Sequence, residues 1–212
     1  MRLALALLAA LLAAAPAAAA PPDPEAVRAL VGDWDRFGEL EAMGAELLPV
    51  LARLYAAEPD PAERRLMANV FYRLGRESPE AKAALLRDVH TDHVELRLAV
   101  QWALGRVSGD DDVVPLLLSI MRDDPNRLFR DKAACALASD QIHIDPRQRL
   151  LLFEGLVDAL EDPKPQVRSI ALQALRVHTG QSKGFAPGAP PAQRAAAVAR
   201  WRTWLVDYER EL

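Results

Sequence analysis

Leu156 to Val177 reads LVDALEDPKPQVRSIALQALRV, and this stretch decides the fold. Leu156, Val157 and Leu160 close a run of apolar residues at helical spacing. The acidic Asp162-Pro163 turn stops that run, because proline removes a backbone donor and clashes with a preceding helical turn. A second helix opens at Val167-Arg168 and continues through Ile170, Ala171, Ala174 and Leu175. The unit is two helices folded back on each other, and it recurs.

Working towards the N-terminus, three earlier copies show the same grammar. In Glu46 to Gly75, Leu47, Leu48, Leu51, Leu54 and Tyr55 make one helical face. Glu58 to Pro61 (EPDP) is the turn, and Leu66, Val70, Phe71 and Leu74 line the partner helix, with Gly75 as its stop. In Ser78 to Gly105, Ser78 caps and Pro79 starts the first helix, and HTDH (His90 to His93) takes the place of the turn. The third copy runs from Asp112 to about Ala138, with DDPN (Asp123 to Asn126) as its turn. The fourth is Pro146 to Val177. The period drifts: Arg97 aligned with Asp131 gives 34 residues, and Asp131 aligned with Arg168 gives 37. A hairpin with apolar residues on more than one side cannot bury them alone, so consecutive copies must stack. The expected fold is all-α, a short right-handed α-solenoid of antiparallel helix hairpins over residues 46–180; a compact, non-repetitive bundle is the alternative.

The two ends read differently. Residues 1–20 combine Met1-Arg2, an unbroken Leu/Ala core from Leu3 to Leu12, and small residues with Pro16 as a breaker. That composition is a signal peptide, with cleavage expected after Ala17 or Ala19. Its apolar core is shorter than the roughly 20 residues that span a bilayer. An uncleaved anchor is the alternative. Residues 21–45 form a lead-in with a short helix through Val31, a cap at Asp33 or Asp35, and a break at Gly44. Residues 181–212 are a Pro-rich loop and a last helix from Pro191 to about Tyr208, with Ala197, Trp201, Trp204 and Leu205 on one side.

Composition removes several classes of function. The formal charge of -4 becomes -5 without Arg2, and neither sign dominates, so nucleic acid is not an expected partner. Cys135 is the single cysteine, so an internal disulfide and any cysteine cluster for a metal are excluded. Its AACALA surroundings predict a buried packing residue. His90 and His93, with Asp92 or Glu95 nearby, are the best metal candidates, but the favoured reading is a polar turn placed where the other repeats have an acidic Asp-Pro turn. The acidic run Asp110 to Asp112 precedes a helix at Val113, where the helix dipole alone favours acids. No metalloprotease, hydrolase-elbow, phosphate-loop or dinucleotide motif occurs, and no cofactor is expected.

Between Glu46 and Gly180 the chain resembles the HEAT-repeat family. The resemblance is good at Pro163 to Leu175, fair at Pro61 to Gly75 and Val94 to Gly105, and weak in the third copy. It implies a curved stack of helix pairs serving as a scaffold or protein-binding surface. It also implies a ladder between turn aspartates and an arginine of the following helix, to which Arg97 and Arg168 are assigned and which Asp131 interrupts. The tail is similar to the closing segment of bacterial exported proteins of this family, through Thr179, Gly180, Gln181, Gly184, Phe185, Pro190, Arg194, Trp201 and Trp204. Lys183 and Ala186 stand where relatives carry acids, so the resemblance implies no metal role for this loop. Trp201, Trp204 and Phe185 are expected to cap the stack.

The expected function is a non-catalytic, protein- or peptide-binding scaffold of the bacterial envelope, periplasmic or secreted. The expected surface is a groove of second helices that includes Arg65, Glu95, Arg97, Gln101, Lys132, Gln166, Arg168 and Gln173. The alternative is an accessory or regulatory subunit of an envelope enzyme or transport complex, favoured by an apolar patch near Trp34, Phe37 or Trp102. A weak metal-dependent or hydrolytic enzyme is the least favoured reading.

Overall fold

The computed structural model describes residues 20–212, so the leader expected over residues 1–20 lies outside the described residues except for Ala20. The described residues form eleven α-helices and two 3-10 turns, with no strand. Helices α1 (Pro24–Leu30) and α2 (Phe37–Ala42) precede the repeats, with a 3-10 turn at Trp34–Arg36 between them. The first hairpin pairs α3 (Leu47–Ala57) with α4 (Pro61–Leu74), and the second pairs α5 (Pro79–Leu86) with α6 (Val94–Val107). The third pairs α7 (Val113–Asp123) with α8 (Arg127–Ser139), and the fourth pairs α9 (Pro146–Ala159) with α10 (Pro165–Thr179). The last helix, α11, spans Pro191–Arg210.

Local chemistry sets these boundaries. Asp60, Ser78, Asn126 and Asp145 each accept a hydrogen bond from a backbone N–H in the first turn of the helix that follows. Asp145 and Gln148 complete a reciprocal capping box. Gly75 and Gly180 close α4 and α10 with φ of 56° and 70°, the left-handed region that glycine reaches without steric cost. Gly44, at φ 70°, breaks the stretch between α2 and α3.

The hairpins stack in two rows. Second helices pack in series, α4 on α6, α6 on α8 and α8 on α10. First helices form the other row, with α1 on α3, α3 on α5, α7 on α9 and α9 on α11. The shared core runs through both rows, from Val27 and Leu51 through Phe71, Leu104, Leu117 and Leu137 to Leu175 and Trp201, all fully or almost fully buried. α6 is the centre of the stack: ten of its residues are buried, and small Ala99, Ala103 and Gly105 let its neighbours approach closely.

Apolar burial draws the hairpins together without fixing how they register, and an arginine ladder supplies that register. The fourth residue of α4, α6, α8 and α10 is an arginine: Arg64, Arg97, Arg130 and Arg168. Arg64, Arg130 and Arg168 each donate from Nη1 to two carbonyls of their own turn, at 2.7–3.1 Å. The rest of each guanidinium reaches into the next repeat. Arg64 Nε bonds Asp88 at 3.0 Å, and Arg130 bonds Gln166 Oε1 at 2.9 and 2.6 Å. Arg168 donates to the Pro187 carbonyl at 3.2 and 3.0 Å. Arg97 donates to the Val89 carbonyl at 3.0 Å, pairs with Asp124, and lies 3.9 Å over the Phe129 ring. Arg194, the fourth residue of α11, repeats the inward half of the pattern on the Ala189 carbonyl at 2.6 Å.

The ladder is therefore unbroken, which corrects the expectation that Asp131 interrupts it. Arg130 holds the position, one residue earlier, with spacings of 33, 33 and 38 residues between successive rungs.

A strap reinforces the opposite ends of the second helices. The α8–α9 connection crosses the ends of α4 and α6, where His143 Nε2 meets the Gly75 and Arg106 carbonyls at 3.1 and 3.0 Å. Both partners accept, so that nitrogen carries the proton. Arg106 donates to the Tyr72 carbonyl at 2.7 Å and lies 3.7 Å from Asp140, whose carboxyl pKa is pushed upward by burial. A Cβ at Gly105 would lie 2.7 Å from the Asp140 carbonyl, so this crossing requires glycine there.

The Arg97–Asp124 pair is almost wholly buried, and removing one partner of such a pair leaves the other charge uncompensated. Arg97→Met is expected to cost about 3–5 kcal/mol in urea unfolding. Arg64→Met is expected to cost less, because Tyr55 still donates to Asp88 at 2.8 Å and the pair is partly solvated. Equal losses for the two variants would contradict this account of the rungs.

Candidate functional site

The second helices present a ridge made by their fifth, eighth, ninth, twelfth and thirteenth residues. In α4 it is Arg65, Ala68, Asn69, Tyr72 and Arg73; in α6 it is Leu98, Gln101, Trp102, Gly105 and Arg106. In α8 it is Asp131, Ala134, Cys135, Ala138 and Ser139, and in α10 it is Ser169, Leu172, Gln173, Arg176 and Val177. Burial along this ridge falls from the centre to the end. Leu98, Gln101 and Gly105 are buried, Cys135 and Ser139 are exposed, and Ser169, Gln173, Arg176 and Val177 are all exposed.

Besides a groove along the outer side of α10, two more lie on this face. One, of about 270 Å³, joins the starts of α4 and α6, and Arg65, Glu95, His93 and Val94 line it with Pro61. The other, of about 150 Å³, runs between α8 and α10 and is lined by Asp131, Cys135, Ser139, Gln173 and Val177 over a floor of alanines. Lys132 stands beside it with its ammonium 5.7 Å from the Trp102 ring.

The residues expected to form one groove divide into three groups. Arg65 and Glu95 meet in the first groove, and Gln173 lines the second. Lys132 and Gln166 are half-buried, and Gln166 is spent on the ladder as the acceptor of Arg130. Arg97, Gln101 and Arg168 are buried, which corrects their placement on a solvent-facing groove. The cause is the double-sided burial of a stacked hairpin: a polar residue on a second helix faces either solvent or the next rung. Gln101 is fully enclosed, and neither end of its amide has a hydrogen-bond partner among the described residues.

Cys135 corrects a second expectation. Its neighbours Ala134 and Ala136 turn inward, and the thiol falls on the exposed ridge. Partial burial and Asp131 push its pKa above the ordinary thiol value.

The groups singled out for chemistry are used in structure. His90 and His93 are exposed at their turn, and no group of three His, Cys, Asp or Glu with metal-binding geometry gathers among the described residues. Asp110 and Asp112 hold the Lys82 ammonium at 2.7 and 2.6 Å, and Asp111 accepts from Gln148 at 2.7 Å. His178 bonds the Leu137 carbonyl at 2.9 Å. Phe37 is buried and Trp102 half-buried, while Trp34 is 38% exposed beneath the Arg73 guanidinium.

The tail closes the first-helix row. Phe153 of α9 meets His178, Trp204 and Tyr208 at centroid distances of 5.5, 5.3 and 5.3 Å, and Trp201 packs edge-on against Trp204. Trp201 and Phe185 are buried, and the Trp201 indole donates to the Ser182 carbonyl at 3.2 Å. Lys183 lies 5.2 and 5.4 Å from the two indole rings. Among the described residues, no helix is long and apolar enough to cross a membrane.

With this geometry in place, comparison with known families finds a likeness over part of the chain. Residues 45–138 match the family model described as HEAT repeats. The matched span holds α3 to α8 but for Ser139, including the third hairpin, expected to resemble the family weakly, and leaves outside it the fourth, expected to resemble it best. Over these residues the chain is similar to HEAT-repeat proteins. Comparison with curated proteins found no match.

Two measurements test this surface. Gln101→Leu is expected to stabilise the fold by about 1–2 kcal/mol, because it removes the desolvation cost of an unbonded amide. A loss of stability would contradict that burial. Cys135 is expected to react with a maleimide in the folded protein, more slowly at neutral pH than in the urea-unfolded chain, since its raised pKa lowers the thiolate fraction. Complete protection of the thiol would contradict its exposure.

Proposed function

We propose that this chain is a non-catalytic scaffold of the bacterial envelope that holds a protein or peptide on the ridge of its second helices. The observation that carries the reading is how its polar groups are used. Asp88, Asp124, His143, His178 and the ladder arginines Arg64, Arg97 and Arg130 are bonded between repeats, and Arg168 is bonded to the tail loop. What remains turned outward is an extended ridge with shallow grooves, a shape suited to another chain more than to a small substrate. The HEAT-repeat match over residues 45–138 supports a binding role by analogy of fold. Export rests on the composition of residues 1–20.

The test is crosslinking of the tagged full-length chain in a bacterial envelope, followed by mass spectrometry of partners and of the chain's own N-terminus. The expected result is one dominant partner crosslinked to α8 and α10, and a mature chain starting at Ala18 or Ala20. A Lys132→Glu/Gln173→Glu variant is expected to lose that partner at least about tenfold, as reversed or added charge on a binding surface does. Arg97 and Arg168 are unsuitable controls, since both are buried. A folded chain with no specific partner would overturn the scaffold reading, and an intact residue 1–20 segment on a cytosolic protein would overturn export.

A further inference from the structure

The stack ends unevenly. The first-helix row continues onto α11, which packs on α9, whereas the second-helix row stops at α10, whose main neighbours are α8 and α9. The outer ridge of α10, lined by Ser169, Leu172, Gln173, Arg176 and Val177, borders an open groove of about 540 Å³. The equivalent ridge of α6 is largely buried within the stack. On α10 it is exposed except for half-buried Leu172, and Val177 is 58% exposed.

This end is also positive. From Pro163 to Val206 there are seven lysines and arginines and no acidic residue. Among the described residues, only Arg202 of these seven has a carboxylate within ion-pair distance. Arg168, Arg194 and Arg200 donate to backbone carbonyls, which leaves their charge uncompensated.

The opposite end is negative. Between Asp23 and Glu46 there are seven acidic residues against Arg28 and Arg36. The lid formed by the Trp34–Arg36 turn and α2 closes on α4, with Gly32 against Leu66 and Arg73 lying 4.1 Å from the Phe37 ring. Its outward side carries the exposed acids Asp35 and Glu41, Glu39 paired with Arg36 at 2.7 Å, and Trp34, one face of which lies under Arg73.

We propose that copies of this chain associate head to tail, the acidic lid of one docking on the outer side of the α10 ridge of the next, beside the α8–α10 groove assigned above to the partner. Trp34 supplies apolar surface for Leu172 and Val177, and Asp35 and Glu41 meet Arg176. A symmetric pairing of two α10 ridges is disfavoured, since it sets Arg176 against Arg176 with no acid in that segment to intervene. A head-to-tail contact between unlike surfaces does not close on itself at two copies, so it extends.

Light scattering and sedimentation of the purified chain over a concentration series test this, at low and high salt (about 0.02 and about 0.5 M), where screening differs severalfold. The expected result is an average mass that rises past the dimer at low salt and returns to monomer at high salt. Arg176→Glu, on an exposed position, and Asp35→Arg/Glu41→Arg are each expected to weaken association at least about tenfold. The chain carrying all three substitutions is expected to regain it. Monomer at every concentration, a plateau at dimer, or association indifferent to both reversals would each overturn the proposal.

Discussion

The guanidinium at the fourth position of each second helix is the constraint on which the stack depends. A planar group with five donors can satisfy the carbonyls of its own turn and still reach the next repeat, which an ammonium on a flexible stem does less well. Apolar burial between helix rows of alanines and leucines is non-directional and scales with area, so it names no particular partner. A rung that must find Asp88, Asp124, Gln166 or the Pro187 carbonyl does. The acceptor changes along the series from carboxylate to amide to backbone carbonyl, while the arginine and its place in the helix stay the same. Donor position is therefore the constant element of this internal repeat, and acceptor chemistry is adjustable.

The ladder and the strap occupy opposite ends of the second helices and leave the ridge between them as the surface that varies. At α6 the ridge is closed by its neighbours, and Gln101 shows the cost: a polar side chain enclosed without a partner. At α10 the same positions meet solvent. One repeated unit thus yields a sealed centre and an open end, and what the ridge exposes follows from position in the stack more than from any motif.

Much of this was legible in the sequence because caps and turns carry their own chemistry. Ser78 marks a helix start and Gly75 a helix stop, the EPDP and DDPN turns bracket two further starts, and the apolar spacing between them is helical. The missed rung has a physical cause. Aligning copies on residue type placed Asp131 opposite Arg97, whereas counting four residues into the helix from its cap, Asn126, finds Arg130. Helical periodicity also fails to separate solvent from a stacked neighbour when a helix buries two faces, which is why Gln101 read as surface and Cys135 as core. The strap was not legible at all. Its residues have no period, and the carbonyls that hold His143 belong to helices 37 and 68 residues away.

The central claim is that the rungs join the hairpins into one cooperative unit. In a linear array, stability divides into units and nearest-neighbour interfaces, so cutting one rung should divide the array at that point. Native-state hydrogen exchange of the Arg130→Ala variant tests this most directly. The account predicts that α4, α6, α8 and α10 of the unaltered chain exchange at one common free energy, and that in the variant α9 to α11 open at a lower free energy than α3 to α8. A variant whose hairpins all still open together would contradict it.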